Sequence, residues 1–116
     1  MDEKEIIEYP VILIEEENGC LAIIPDIDGG VQGIEKEDTL QTAAEYIGEE
    51  IIDSGKIPEP DFEFKKLDKI PDRGKVFYVE VDVTKYKRIY ERRIIRQASN
   101  YLMEKNKEIY RRLSER

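Results

Sequence analysis

Two short apolar runs near the N-terminus predict a β-hairpin. Residues 9–14 are rich in branched side chains and too few for a helix of normal length, and residues 20–24 form a second run of the same kind. Between them, Asn18 and Gly19 form a dipeptide that tolerates positive φ at both central positions of a type I′ turn. A proline and two adjacent glycines then end the second strand, and residues 31–34 can add a short third strand.

A change of period after this hairpin predicts a helix. Asp38 and Gln41 stand at the N-cap and N3 positions of a capping box, and Gly55 stands where a left-handed residue would end the helix. The apolar residues between them recur at spacings of three, four and seven, which places them on one helical face. These residues are Leu40, Ala43, Ala44, Ile47 and Ile51.

The rest of the chain predicts a charged loop, one more strand and a long helix. The loop begins with two prolines, Pro58 and Pro60, which cannot continue a helix. Residues 75–83 then alternate, with Phe77, Val79, Val81 and Val83 on one face of a half-buried strand. Beyond Thr84 an apolar stripe interleaved with Arg and Lys predicts a basic amphipathic helix. The stripe consists of Tyr86, Tyr90, Ile94, Ala98, Leu102, Ile109 and Leu113.

The order of these elements predicts an α+β fold. A small antiparallel sheet (β-β-β-α-β) would carry one core helix on one face, followed by a C-terminal basic helix. We expect residues 1–83 to form the globular domain and residues 84–116 a helical extension. Because the first two strands are apolar on both faces, we expect the second face to be covered by the C-terminal helix, a second copy or a partner. The pattern therefore favours an interaction protein.

Charge is divided unequally between these two parts. The net charge of the chain is −8. Residues 1–83 hold 8 basic against 23 acidic residues, and residues 84–116 hold 11 against 4, so the parts carry −15 and +7. Such asymmetry indicates a basic partner for the body and an acidic partner, such as nucleic acid, for the extension. The alternative is self-neutralisation, with the extension folded back on the body.

Composition also removes several functional classes. The chain has no histidine, which excludes a Ser-His-Asp triad, a Cys-His pair and a histidine metal site. We expect no enzymatic activity and no cofactor. One remaining alternative is a metal-binding pair, Asp26 and Asp28, for phosphodiester hydrolysis, although aspartate beside glycine is chiefly a turn signature. An acidic N-terminus and the lack of a long apolar run predict a cytoplasmic protein without a membrane partner.

The order of motifs resembles the HicB family of antitoxins over roughly residues 7–86. The resemblance implies a partial fold like that of ribonuclease H or of double-stranded-RNA-binding domains, without catalysis. It also implies a small basic mRNA-cleaving toxin of the HicA type as partner, and a C-terminal module that binds operator DNA for autoregulation. The residues that carry it are Tyr9-Pro10-Val11-Ile12, Ile24-Pro25-Asp26-Ile27, Asp38-Thr39-Leu40, Ile57-Pro58-Glu59-Pro60 and Val79-Glu80-Val81-Asp82.

Acidic side chains at the hairpin tip and in the loop after the hairpin are the predicted toxin-binding residues. Their charge would mimic that of RNA and attract a basic ribonuclease. These residues are Glu15, Glu16, Glu17, Asp26 and Asp28.

The extension allows three interpretations. Arg92, Arg93 and Arg96, together with basic residues nearer the start of the helix, could contact phosphates of operator DNA or RNA. Dimerisation through the first part of the apolar stripe, Tyr86, Tyr90 and Ile94, is an equally open role, and we expect a homodimer or a higher oligomer. The main alternative to an antitoxin is a stand-alone RNA-binding module in which Tyr86, Tyr90 and Tyr101 stack on bases.

Overall fold

The computed structural model describes residues 4–67 and 69–114, with side chains through Lys107 and at Arg111. The fold is α+β, as predicted, with a four-stranded antiparallel sheet in the order β3-β2-β1-β4. The elements are β1 (Ile6–Glu16), β2 (Gly19–Ile24), a 3₁₀ turn (Pro25–Ile27), β3 (Gly29–Gly33), α1 (Lys36–Ser54), β4 (Lys75–Asp82) and α2 (Val83–Ser114).

The core lies between α1 and one face of the sheet. Alternate residues of β1, β2 and β4 point towards the helix because successive side chains of a strand face opposite ways. The predicted stripe of α1 meets them, with Ala43, Ile47 and Ile51 fully buried. The sheet residues of this cluster are Tyr9, Val11, Leu13, Ala22, Ile24, Val79 and Val81.

The hairpin turn differs from the predicted one. Glu16 pairs with Gly19, so the central residues of the turn are Glu17 and Asn18, and neither has a positive φ. The predicted type I′ turn centred on Asn18 and Gly19 is therefore wrong. Glycine is required at position 19 for a different reason, since a Cβ there would lie 2.7 Å from the carbonyl oxygen of Gly33 in β3.

The start of α1 also differs from the prediction. The helix begins at Lys36 with Glu35 as its N-cap, and no side chain caps it. Asp38 lies in the first turn, where its charge complements the helix dipole, and Gln41 donates to Glu45 rather than back to the N-cap. The predicted capping box is wrong because Thr39 is buried and its hydroxyl donates to the Glu35 carbonyl, which places the helix start before Asp38.

The first turns of α2 pack on α1. The rings of Tyr86 and Tyr90 lie against Gly48 and Gly55, so closely that a Cβ at either glycine would overlap them. Gly55 also ends α1 as predicted, with φ of 73° and its N–H bonded to the Ile51 carbonyl. In the described part of the chain, the extension therefore starts against α1 and not across the second sheet face, and its residues 91–105 do not fold back along the body.

Beyond these turns α2 projects from the body. Every described side chain from residue 91 to 105 is exposed, and the molecule measures 74 Å along its longest axis. The side chains of Ile109 and Leu113, predicted to continue the stripe, lie outside the described residues. None of the described helices is both long and apolar enough to cross a membrane.

The loop between α1 and β4 covers part of the second sheet face. Gly74 lies directly over Ile12, which is fully buried, and Ile70 packs beside it. Phe62 of the same loop contacts the ring of Tyr78 in β4. The prediction that only α2, a second copy or a partner could cover this face is wrong, because a loop expected merely to connect two elements folds over it.

Candidate functional site

The structure places the predicted toxin-binding residues in two separate groups. Glu15, Glu16 and Glu17 are exposed at the tip of the β1–β2 hairpin, and Glu16 borders a shallow depression of about 260 Å³. Asp26 and Asp28 follow the other end of β2. A strand of this length spans about 17–20 Å, so the two groups do not form one site. Their role in binding a toxin stays a prediction.

Asp26 is buried and anchors the loop. Its Oδ1 accepts the backbone N–H of Asp61 at 2.9 Å, whereas Oδ2 has no hydrogen-bond partner among the described residues. Burial raises the pKa of Asp26, an effect opposed by the Asp61 N–H and by the charge of Lys66. Only 8% of the surface of Asp26 is exposed, so a partner could contact little of it. Its hydrogen bond with the Asp61 N–H attaches the loop to the body instead.

Tyr9 holds the same loop at Pro58, three residues before Asp61. Its hydroxyl donates to the carbonyl of Pro58 at 2.7 Å. Burial raises the pKa of Tyr9 to about 12, with a smaller contribution from the negative charge of Asp26. Two buried polar groups of the body thus direct the loop from α1 towards the second sheet face.

Asp28 ends the 3₁₀ turn that follows β2. It adopts a left-handed backbone with φ of 50°, and its N–H bonds to the Pro25 carbonyl. No group of three or more Cys, Asp or Glu residues within the described ranges could hold a metal ion. The alternative of a metal-binding pair with Asp26 therefore has no further ligands in the described chain.

A pair of like charges lies on the part of the second sheet face that the loop leaves open. Glu8 of β1 is directly opposite Glu80 of β4, and both are exposed. Neither carboxylate has an ion-pair partner in the described part of the chain. Like charges at opposed positions destabilise a sheet, so this pair costs the isolated protein free energy.

Exposed apolar groups surround the two glutamates. Tyr78 and Phe62 are 56% and 52% exposed, with ring centroids 6.1 Å apart, and Ile6 is exposed on the same face. Aromatic side chains of this kind dominate the binding energy of many interfaces. We call this surface the open face and define it by Ile6, Glu8, Phe62, Tyr78 and Glu80.

Sequence reasoning missed the open face as a site. Alternation puts Tyr78 and Glu80 on the face of β4 opposite to Val79 and Val81, but it gives no reason to single them out. Two facts that depend on the fold create the surface. The pairing of β1 with β4 brings Glu8 to Glu80, and the anchored loop brings Phe62 to Tyr78.

The predicted nucleic-acid-binding residues lie together on α2. Arg92, Arg93 and Arg96 are exposed and, with Gln97 and Asn100, line a depression of about 450 Å³. Arg93 also forms an ion pair of 3.5 Å with Asp53 of α1. A second depression of about 490 Å³, lined in part by Lys4, Lys85, Arg88 and Arg92, continues the basic surface towards the body.

Comparison with known proteins gives one structural likeness. No protein-family model matches the chain, and no curated protein matches it. A chain of a solved structure described as "Toxin-Antitoxin complex from Streptococcus pneumoniae" has a similar fold, with a TM-score of 0.52 and 19% identity. The match covers 71% of this chain and 73% of that one. At this identity the likeness shows a shared fold.

Proposed function

We propose that this chain is a cytoplasmic antitoxin of the HicB type, without enzymatic activity or a cofactor, that binds and neutralises a small basic ribonuclease of the HicA type. The likeness in fold to a chain of a toxin–antitoxin complex supports the class of function. The observation that carries the proposal is the open face, where Glu8 and Glu80 have no ion-pair partner among the described residues and lie beside exposed aromatic rings.

The chemistry of the open face suits a basic protein partner. A Lys or Arg placed between Glu8 and Glu80 would relieve their repulsion, so part of the binding energy would come from strain present in the free body. Phe62 and Tyr78 would supply apolar contact area beside that charge pair. The charge of −15 on residues 1–83 would speed the approach of such a partner at low salt.

The glutamates at the hairpin tip would act differently. Glu15, Glu16 and Glu17 have no exposed aromatic neighbour comparable to Tyr78 among the described residues. In this proposal they steer the toxin electrostatically, and their removal weakens association mainly at low salt. They also provide a matched control for the open face, since both sets carry the same kind of charge.

The extension would contact operator DNA through Arg92, Arg93 and Arg96.

The competing function is a stand-alone RNA-binding module in which Tyr86, Tyr90 and Tyr101 stack on bases. Two of these three tyrosines are not available for stacking in this structure. Tyr86 and Tyr90 pack against α1, and only Tyr101 of the three stands clear of the body.

The test is capture followed by growth rescue. The full chain is used as bait in a lysate of its host, and each small basic protein that it retains is expressed alone and together with the chain. We expect one of them to stop growth alone and to be neutral when the chain is co-expressed. The proposal fails if no retained protein inhibits growth, or if an inhibitory one is not neutralised.

A truncation separates the RNA-binding alternative. Removing residues 92–116 keeps the turns of α2 in which Tyr86 and Tyr90 pack on α1, so the body should remain folded. An antitoxin keeps its neutralising activity in this variant. Retention of RNA by the full chain and its loss in the variant, without any captured toxin, would favour the RNA-binding module.

A further inference from the structure

The projecting part of α2 has an apolar face that nothing in the described protein covers. Ile95 is 68% exposed and Leu102 is 55% exposed, and Ile94 and Tyr101 are exposed beside them. A helix that packs on nothing is only marginally stable in water. This face therefore needs a partner if the helix is to persist.

The exposed apolar residues of this segment other than Met103 form one stripe centred on Ala98. An α-helix turns about 100° per residue, and the members of the stripe lie within about 60° of Ala98 around the helix axis. We call this set the free stripe. It consists of Glu91, Ile94, Ile95, Ala98, Tyr101, Leu102 and Lys105.

The two charged members of the free stripe determine how it can pair with itself. Glu91 and Lys105 stand seven residues before and seven residues after Ala98, at opposite ends of the apolar segment. In a parallel pair of helices, Glu91 would face Glu91 and Lys105 would face Lys105. In an antiparallel pair centred on Ala98, each Glu91 would face Lys105 of the other copy, which gives two pairs of opposite charge.

We propose that two copies of this chain associate through an antiparallel pairing of their α2 helices, with the two-fold axis at Ala98. The small Ala98 side chains allow the helices to approach closely at the axis. On either side of it, Ile94 packs on Tyr101 of the second copy and Ile95 on Leu102. One Glu91–Lys105 pair lies at each end of this contact between the two helices, which we call the seam.

Other occupants fit this stripe less well. Arg92, Arg93 and Arg96 lie about 120–160° from Ala98 around the same helix, so the positive charge of this segment would repel a basic toxin. Nucleic acid would use the arginines and leave the apolar residues exposed. The pairing requires no toxin, so its failure would leave the proposed function untouched.

A charge swap tests the pairing and its direction. Sedimentation velocity of the full chain across a concentration series gives the dimer dissociation constant. Glu91→Lys and Lys105→Glu each place like charges in contact at both ends of the seam, and we expect either change to weaken the dimer by about tenfold. The double variant Glu91→Lys/Lys105→Glu restores the opposite charges and should dimerise like the unaltered chain.

Lys107→Glu provides the matched control. It makes the same charge change as Lys105→Glu two residues further on, at the opposite side of the helix from Ala98, and should leave dimerisation unchanged. A chain that stays monomeric at all concentrations would overturn the proposal. A dimer that resists both single changes, or that the double variant does not restore, would overturn it equally.

Discussion

At the scale of single residues, the body keeps two arrangements that reduce its own stability. Asp26 is buried with one oxygen unpartnered among the described residues, and Glu8 faces Glu80 across two strands. Buried carboxylates and opposed like charges both cost free energy in the folded state. The first arrangement anchors the loop that carries Phe62 to the open face, and the second lies in the open face itself, next to Tyr78.

Replacing Asp26 by Asn should stabilise the protein at neutral pH. Because the pKa of Asp26 is raised, the folded chain holds its proton more tightly than the unfolded chain does. The stability that this group contributes is complete below its unfolded pKa and is lost as the pH rises through its folded pKa. Asn stays neutral and keeps an oxygen for the Asp61 N–H, so we expect a gain of about 1 kcal/mol.

Denaturant unfolding of the Asp26→Asn variant and the unaltered chain, at neutral pH and in acid, measures this effect. The advantage of Asn should shrink as the pH falls, because the carboxyl group then becomes protonated in both states. An unaltered chain that is the more stable of the two at neutral pH would show that the charge of Asp26 stabilises the loop.

Replacing Glu80 by Lys should make the body more stable and the antitoxin weaker. The change converts the Glu8–Glu80 repulsion into an attractive cross-strand pair, for which we expect a gain of about 0.2–1 kcal/mol. The same lysine would repel a basic partner from the open face. Unfolding free energy and affinity for the captured toxin are measured on the same variant, and a parallel loss of both would mean that Glu80 has a structural role only.

At the scale of elements, contacts between elements override the local signals that a sequence carries. The capping box at Asp38 satisfies the rules for a helix start, yet α1 begins before it because Thr39 packs under β3. Asn18 and Gly19 satisfy the rules for a type I′ turn, yet Gly19 serves the approach of Gly33. Periodicity did predict the buried faces of α1 and β4, since those faces depend on spacing alone.

The contact between β3 and α1 gives a prediction at this scale. A Cβ on Gly33 would lie 2.2 Å from the hydroxyl oxygen of Thr39, which is fully buried and bonded to the Glu35 carbonyl. Gly33→Ala should therefore cost about 1–3 kcal/mol of unfolding free energy. Gln32→Ala, an exposed neighbour on the same strand, is the control in the same denaturation experiment. Equal stability of the two variants would mean that α1 can shift without cost.

At the scale of the whole molecule, the opposite charges of the two parts correspond to two separate surfaces. The acidic body presents the open face, and α2 carries its arginines and the free stripe away from it. Composition and periodicity predicted the class of fold, the helical extension and the charge split. The open face could not be predicted, because it depends on strand register and on a loop whose path is fixed by Tyr9 and Asp26.

Rescue of growth by charge-reversal variants shows whether the toxin binds at the open face. Cells expressing the captured toxin would receive the chain with Glu8→Lys/Glu80→Lys, or the control with Glu15→Lys/Glu16→Lys at the hairpin tip, at equal protein levels. The control keeps the open face intact. We predict that it rescues growth and that the open-face variant does not. Rescue by the open-face variant together with failure of the hairpin-tip variant would place the toxin at the hairpin tip and not at the open face.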